Sequence, residues 1–146
     1  MSLTNLAEQA ALDLIFINNN WAYIGDTTGI RGSTASGNLF ISLHTADPGE
    51  AGSQTTSETT YTSYARVPVE RSGNGWTRSG ATISNAIKIT FPQCTGSTAT
   101  VTHFGIGTES TGAGNLLMKG NLTLALAVST GITPDFVVGA LTATLE

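Results

Sequence analysis

The sequence predicts a mainly β fold, an antiparallel sandwich or barrel preceded by one short helix. Three observations predict it. Leu39, Ile41 and Leu43 alternate with Phe40, Ser42 and His44, the period of two that sends one row of side chains into a core. That strand stops at Asp47-Pro48-Gly49, where Pro presets one backbone dihedral and Gly relaxes another. Beyond it, short alternating runs recur between clusters of Gly, Ser, Thr and Asn, a spacing typical of all-β domains. Only the stretch before Leu39 carries a helical pattern.

That pattern covers residues 4–18. Thr4 or Asn5 can cap it, and Glu8 sits in the first turn, where the macrodipole favours negative charge. Leu3, Leu6, Ala7, Ala10, Ala11, Leu14 and Ile15 follow spacings of three and four and form the expected apolar stripe. Leu12 and Phe16 widen it. Asn18-Asn19-Asn20 ends it, because Asn tolerates left-handed backbone. A helix this short is marginal alone and must dock on the sheet or on a neighbouring subunit.

Trp21–Gly25 reads as a short strand or an aromatic clamp, and residues 25–38 as a loop carrying Arg31. After the Leu39 strand, residues 48–61 are rich in Gly, Ser, Gln, Thr and Glu and read as a mobile surface excursion. Residues 64–69 alternate, and Pro68 restricts that strand to an edge or bulge. Ser72-Gly73-Asn74-Gly75 turns into a strand at 76–79. Further strands are expected at 81–83, 86–91, with Ile87, Ile89 and Phe91 on one side, 99–106, 116–118, 122–128 and within 136–145. The chain reads as one domain of 146 residues, with the helix at 4–18 and the sandwich over 39–146.

Charged residues make up only 11% of the chain, under half the usual level of about 25%. Such a surface is covered by another protein at little desolvation cost, as interface cores are. The net charge is −4, and the six Lys and Arg residues between Arg31 and Lys119 form no cluster. Nucleic acid is therefore not an expected partner. Cys94 is the single cysteine, so no intrachain disulfide is possible. Met1-Ser2-Leu3-Thr4-Asn5 has no basic segment or long apolar run, so no signal peptide is expected. No run approaches the ~20 apolar residues of a membrane span, so no membrane contact is expected.

His44 and Asp47 flank one turn, and His103 is the other histidine. No Gly-x-Ser-x-Gly elbow accompanies them, and with Cys94 their spacing matches no zinc pattern. His44 is expected to face outward, and one of His103 and Phe104 to be buried. Gly105-Ile106-Gly107 and Gly112-Ala113-Gly114 complete no dinucleotide fingerprint and precede no helix, so they read as turn and bulge glycines. Asp47, Glu50 and Glu58 do not have calcium-loop spacing. The chain is expected to be no enzyme and to use no cofactor or metal.

Three stretches carry a family resemblance: Ile41–Gly52 (ISLHTADPGEAG), Tyr64–Val69 (YARVPV) and Ala99–Gly107 (ATVTHFGIG). Together they resemble a family of small structural proteins of tailed bacteriophages. Some of its members are described loosely as tail fibre proteins, and others resemble the cement or decoration proteins of the capsid exterior. The resemblance implies an antiparallel jelly-roll-like β-sandwich of about eight strands with one short N-terminal helix. It implies a virion protein, made in the host cytoplasm and bound to the outside of the head. There it would span joints between copies of the major capsid protein as a dimer or trimer, with avidity replacing affinity per site. The alternative is a tail-fibre or baseplate component with a host-glycan-binding role. That role requires exposed aromatics, for which Trp21, Tyr23, Tyr61, Tyr64 and Trp76 are the candidates. Expected partner contacts are Trp21, Tyr23, Arg31, Tyr61, Tyr64 and Arg66.

Overall fold

The computed structural model describes residues 2–145. Met1, which opens the segment read for a signal peptide, and Glu146, which ends the predicted sandwich, lie outside them. In chain order the elements are helix α1 (Asn5–Leu12), a π-helical turn (Asp13–Ile17), β1 (Asn38–His44), β2 (Val67–Glu70), β3 (Trp76–Ser79), β4 (Thr82–Asn85), β5 (Ile89–Thr90), β6 (Ala99–Gly107), β7 (Leu116–Val128), β8 (Asp135–Phe136) and β9 (Thr142–Thr144). The fold is mainly β with one N-terminal helix, as the sequence predicts. Among the described residues the strands number nine, in sheets ordered β2-β1-β6-β7, β3-β4-β9 and β5-β8. The chain divides into two compact units. One takes the chain up to Asn38, Glu70–Lys88 and the chain from Phe136. The other takes Leu39–Val69 and Ile89–Asp135.

In the first unit the Thr4 hydroxyl caps α1 by accepting from the Ala7 amide at 3.4 Å. Asn18, at φ 63°, ends the helical segment in left-handed geometry. The Arg71 guanidinium donates to the carbonyls of Leu14 (2.7 Å) and Ile15 (2.6 Å), which the helix end leaves without amide partners. The buried face differs from the predicted stripe. Leu12 and Phe16 are fully buried and Glu8 lies with them, whereas Leu6 is 73% exposed and Leu3 is 47% exposed. The ring of Phe16 meets Trp76 edge-on at 4.7 Å. Burying each such apolar side chain stabilises by about 1.5–3 kcal/mol, so the largest rings choose the face. Ile83 and Leu141 complete this core, and β4 pairs antiparallel with both β3 and β9.

In the second unit β1 is an inner strand and pairs antiparallel with β6 from Phe40↔Gly107 to His44↔His103. Leu39, Ile41 and Leu43 are buried, as their alternation predicts, but Ser42 and His44 on the other face are fully buried as well. The outward His44 of the sequence reading is thus corrected. Gly105 stands opposite Ser42, and a Cβ there would come within 2.7 Å of the His44 Nε2; the missing side chain makes room for the imidazole. Phe104 is buried beside a partly exposed His103.

The 48–61 stretch is packed rather than an open excursion. Its backbone returns to β1 through Thr45 N–H to Ser57 O (2.8 Å) and Thr59 N–H to Leu43 O (2.9 Å). Gln54, Thr59 and Tyr61 are buried. Two predicted strands, 116–118 and 122–128, form the single strand β7. Gly120 allows the join, because the Phe104 ring occupies the place of its missing side chain. Strand β2 starts only at Val67, and its Pro68 lies on an edge strand, as expected. In the 86–91 stretch only Ile89–Thr90 is strand, and Ile87 is 44% exposed while Ile89 and Phe91 are buried.

Candidate interaction surfaces

The predicted contact residues fall into two settings. Trp21, Tyr23 and Arg31 belong to the first unit. The amide of Trp21 donates to the Ile30 carbonyl at 2.8 Å, and the amide of Ile30 donates back at 3.0 Å, closing a small hairpin. Inside it, Asp26 Oδ1 accepts from the Thr28 hydroxyl (2.6 Å), the Thr28 amide (2.7 Å) and the Gly29 amide (3.0 Å). These bonds, that from the Thr28 hydroxyl foremost, hold the Asp26 carboxyl below its ordinary range. A side chain on Gly29 would collide with the Trp21 carbonyl, so the turn requires glycine there. The hairpin presents Tyr23 at φ 66° and 81% exposed, flanked by the half-exposed Ile24 and Ile30 and by an exposed Arg31.

Tyr61, Tyr64 and Arg66 lie in the second unit and are committed internally. Tyr61 is buried and donates its hydroxyl to the Pro92 carbonyl at 2.9 Å; burial pushes that hydroxyl up to about 12. Tyr64 meets Tyr61 edge-on at 5.3 Å and stacks on Phe91 at 6.3 Å. Its hydroxyl accepts from the Leu43 amide (3.0 Å) and donates to Glu58 (2.9 Å), and burial raises its pKa well above the ordinary value.

Arg66 engages the Glu58 carboxylate in bidentate fashion, with Nε at 2.7 Å and Nη2 at 2.8 Å. It also donates to the carbonyls of Glu109 (2.9 Å) and Gly112 (2.8 Å). Only 3% of the Arg66 side chain and 14% of the Glu58 side chain are exposed. Burial and these bonds leave Tyr61 and Arg66 little side chain to offer a partner.

Gln54, which sequence reasoning passed over, completes this network. Its Oε1 accepts from the Glu109 amide (2.9 Å) and its Nε2 donates to the Glu109 carbonyl (3.2 Å). Side chains on Gly107 or Gly114 would occupy the space Gln54 fills. The only sequence signal was this pairing of glycines across the 108–115 turn. A cleft of about 250 Å³ opens beside Glu58, Tyr64, Arg66 and Thr111. It is smaller than the roughly 300–1,000 Å³ of small-molecule sites, and its charged pair is already neutralised.

The Ser42 hydroxyl lies 2.8 Å from His44 Nε2, and His44 Nδ1 lies 2.9 Å from the Thr56 carbonyl. This resembles a nucleophile and its base, but both side chains are fully buried and no substrate can reach them. Asp47 accepts from the Gly49 amide in the predicted turn, and Lys119 pairs with Asp47 (3.0 Å) and Glu50 (3.1 Å). The Cys94 thiol is buried and donates to the Gly96 carbonyl. Among the described residues no three His, Cys, Asp or Glu side chains gather as a metal site, and no helix is long and apolar enough to cross a membrane. Trp76 is buried against Phe16, so Tyr23 remains as the exposed aromatic candidate, with a half-buried Trp21 at the base of its hairpin.

Residues 2–144 match the family described as podophage GP4 fiber I protein gp80. A search among curated proteins finds no match. The family match overturns the capsid-cement reading and its place on the head exterior, which rested on strand and turn motifs shared by structural proteins of different virion parts. A bacteriophage structural protein remains, now on the fibre. The chain belongs to the podophage fibre protein family gp80.

Proposed function

We propose that this chain is a structural part of the phage fibre that contacts host-surface carbohydrate through the Trp21–Ile30 hairpin. The observation that carries the reading is Tyr23, 81% exposed on a turn fixed by main-chain and Asp26 hydrogen bonds. An aromatic side chain carried on a fixed turn, with only two side-chain torsions to order, supplies apolar area at low entropic cost. Its face suits the C–H side of a sugar ring, and the Thr27 and Thr28 hydroxyls beside it suit the sugar hydroxyls. The low charge of the chain fits an uncharged glycan.

The test is binding of the purified chain to host cells and to polysaccharide extracted from them, comparing wild type with Tyr23→Asn. Asn tolerates the left-handed backbone at this position, so the hairpin keeps its shape. Truncating a central interface aromatic costs about 2 kcal/mol or more, roughly a 30-fold loss of affinity. Equal binding by wild type, Tyr23→Asn and Trp21→Ala would overturn the reading.

A further inference from the structure

Asn74-Gly75 is the one place in the chain where an asparagine precedes a glycine. Glycine has no Cβ to keep its amide nitrogen away from the asparagine side chain before it. The other asparagines precede Leu, Asn, Trp or Ala, and several are tied down. Asn85 is buried and donates from Nδ2 to the Ile87 and Val137 carbonyls, each at 2.8 Å. Asn18 is bonded through Oδ1 and Nδ2 to the Ser33 main chain, and Asn20 accepts from the Gly32 amide. Asn74 is exposed, and its side-chain amide meets no partner among the described residues.

The turn that carries Asn74 leads straight into the core of the first unit. The amides of Gly75 and Trp76 both donate to the Ser72 carbonyl at 3.0 Å, and the Asn74 amide donates to Ser72 Oγ at 3.2 Å. The Gly75 carbonyl accepts from the Ala86 amide at 2.8 Å. The next residue, Trp76, is buried edge-on against Phe16. While the turn is closed, the Gly75 N–H is engaged with Ser72 and held from Asn74. Strand β3 is an edge strand of its sheet, so the turn opens locally without parting a ladder on both sides.

We propose that Asn74 is a deamidation site gated by this turn, and that its isoaspartate product loosens Trp76 from Phe16. When the turn opens, the Gly75 amide nitrogen gives its proton to base and bonds to Asn74 Cγ. The Cγ–Nδ2 bond breaks, ammonia leaves with a proton returned by solvent, and a cyclic succinimide remains. Water then opens the ring. Attack at Cγ restores an ordinary chain with aspartate at this position. Attack at the main-chain carbonyl carbon breaks its bond to the Gly75 nitrogen and leaves isoaspartate, whose main chain runs through Cβ and Cγ. Aspartate keeps the spacing between the Ser72 carbonyl and the amides that donate to it. Isoaspartate lengthens that spacing by a methylene, so the bonds from Gly75 and Trp76 are not both kept and the indole shifts. This inference does not depend on the role of Tyr23.

The experiment incubates the full chain in mildly alkaline buffer, folded and in urea. Peptide mass spectrometry and labelling by an isoaspartate methyltransferase follow position 74. The expected result is conversion of Asn74 ahead of every other asparagine, several-fold slower in the folded chain than in urea. As isoaspartate accumulates in the folded chain, Trp emission is expected to move to longer wavelength and the melting temperature to fall. Freshly purified Asn74→Asp, with the added charge and an ordinary main chain, is expected to match fresh wild type. Asn74→Gln is expected to show no drift on incubation. An Asn74 that stays intact in the folded chain overturns the inference. So do equal rates in the folded and unfolded chain, or isoaspartate at this position with unchanged emission and melting temperature.

Discussion

Replacing Arg66 by Met tests the packed network of the second unit most sharply. The substitution removes both charge-assisted bonds to Glu58 and the bonds to the Glu109 and Gly112 carbonyls. Glu58 keeps the Tyr64 hydroxyl, and the Glu109 carbonyl keeps Gln54. The Gly112 carbonyl loses its side-chain donor. An exposed ion pair would contribute about 0–1 kcal/mol. This pair is shielded, with 3% and 14% of its side chains exposed, and breaking a buried pair from one side costs about 3–5 kcal/mol. With a urea slope near 2 kcal/mol/M, the unfolding midpoint moves down by roughly 1.5–2.5 M. Circular dichroism in a urea series reads it. The Arg66→Met/Glu58→Leu double variant is expected to lose less than Arg66→Met alone, because no uncompensated charge remains. A cost under about 1 kcal/mol for Arg66→Met, or additive costs in the cycle, would refute the reasoning.

Burial holds the His44 imidazole below its ordinary pKa. The unfolded chain takes up that proton near pH 6.5, before the folded chain does. Stability therefore falls as pH drops below about 6.5, by at most about 1.4 kcal/mol per pH unit. His44→Gln should flatten the profile of melting temperature between pH 7.5 and 5, and parallel wild-type and variant profiles would contradict this. Phe16→Ala empties the fully buried site against Trp76 and should cost about 3–5 kcal/mol, read by thermal unfolding of the first unit through Trp fluorescence. Gly105→Ala places a methyl group 2.7 Å from His44 Nε2, Ser42 Oγ and a Leu116 methyl. It should cost about 1–3 kcal/mol by overpacking, and a neutral melting temperature would count against the tight fit.

What the sequence made legible follows from what each residue needs locally. The strand at 76–79, the Asp47-Pro48-Gly49 turn and the Asn18 helix end depend on backbone preference and short-range hydrogen bonds, and they lie where the pattern puts them. The helix face was misread because spacing alone gave the alanines and Leu6 the same weight as Leu12 and Phe16. Leu6 and Leu12 have the same side chain, so what separates them is the face that meets a partner, and the Phe16–Trp76 contact that fixes this face spans 60 residues of chain.

Polar residues misled most in the second unit. Gln54, Glu58 and His44 look like surface residues until Glu109, Arg66 and Thr56 satisfy them, and no local pattern announces partners 55, 8 or 12 positions away. The aromatic candidates divided for the same reason. Tyr61 and Tyr64 are held by Pro92, Phe91 and Leu43, whereas Tyr23 sits on a local turn with nothing distant to cover it. The assignment to a virion part was beyond motifs made of turns and strand faces, since those specify how a chain folds and not where it is mounted.

The most direct test of the account is a fractionation. Particles are separated into heads and fibre-bearing tails, and this chain is quantified in each by mass spectrometry. Membership of the fibre family predicts a low copy number confined to the tail and fibre fraction, with none left on stripped heads. Hundreds of copies per particle retained on heads would contradict it.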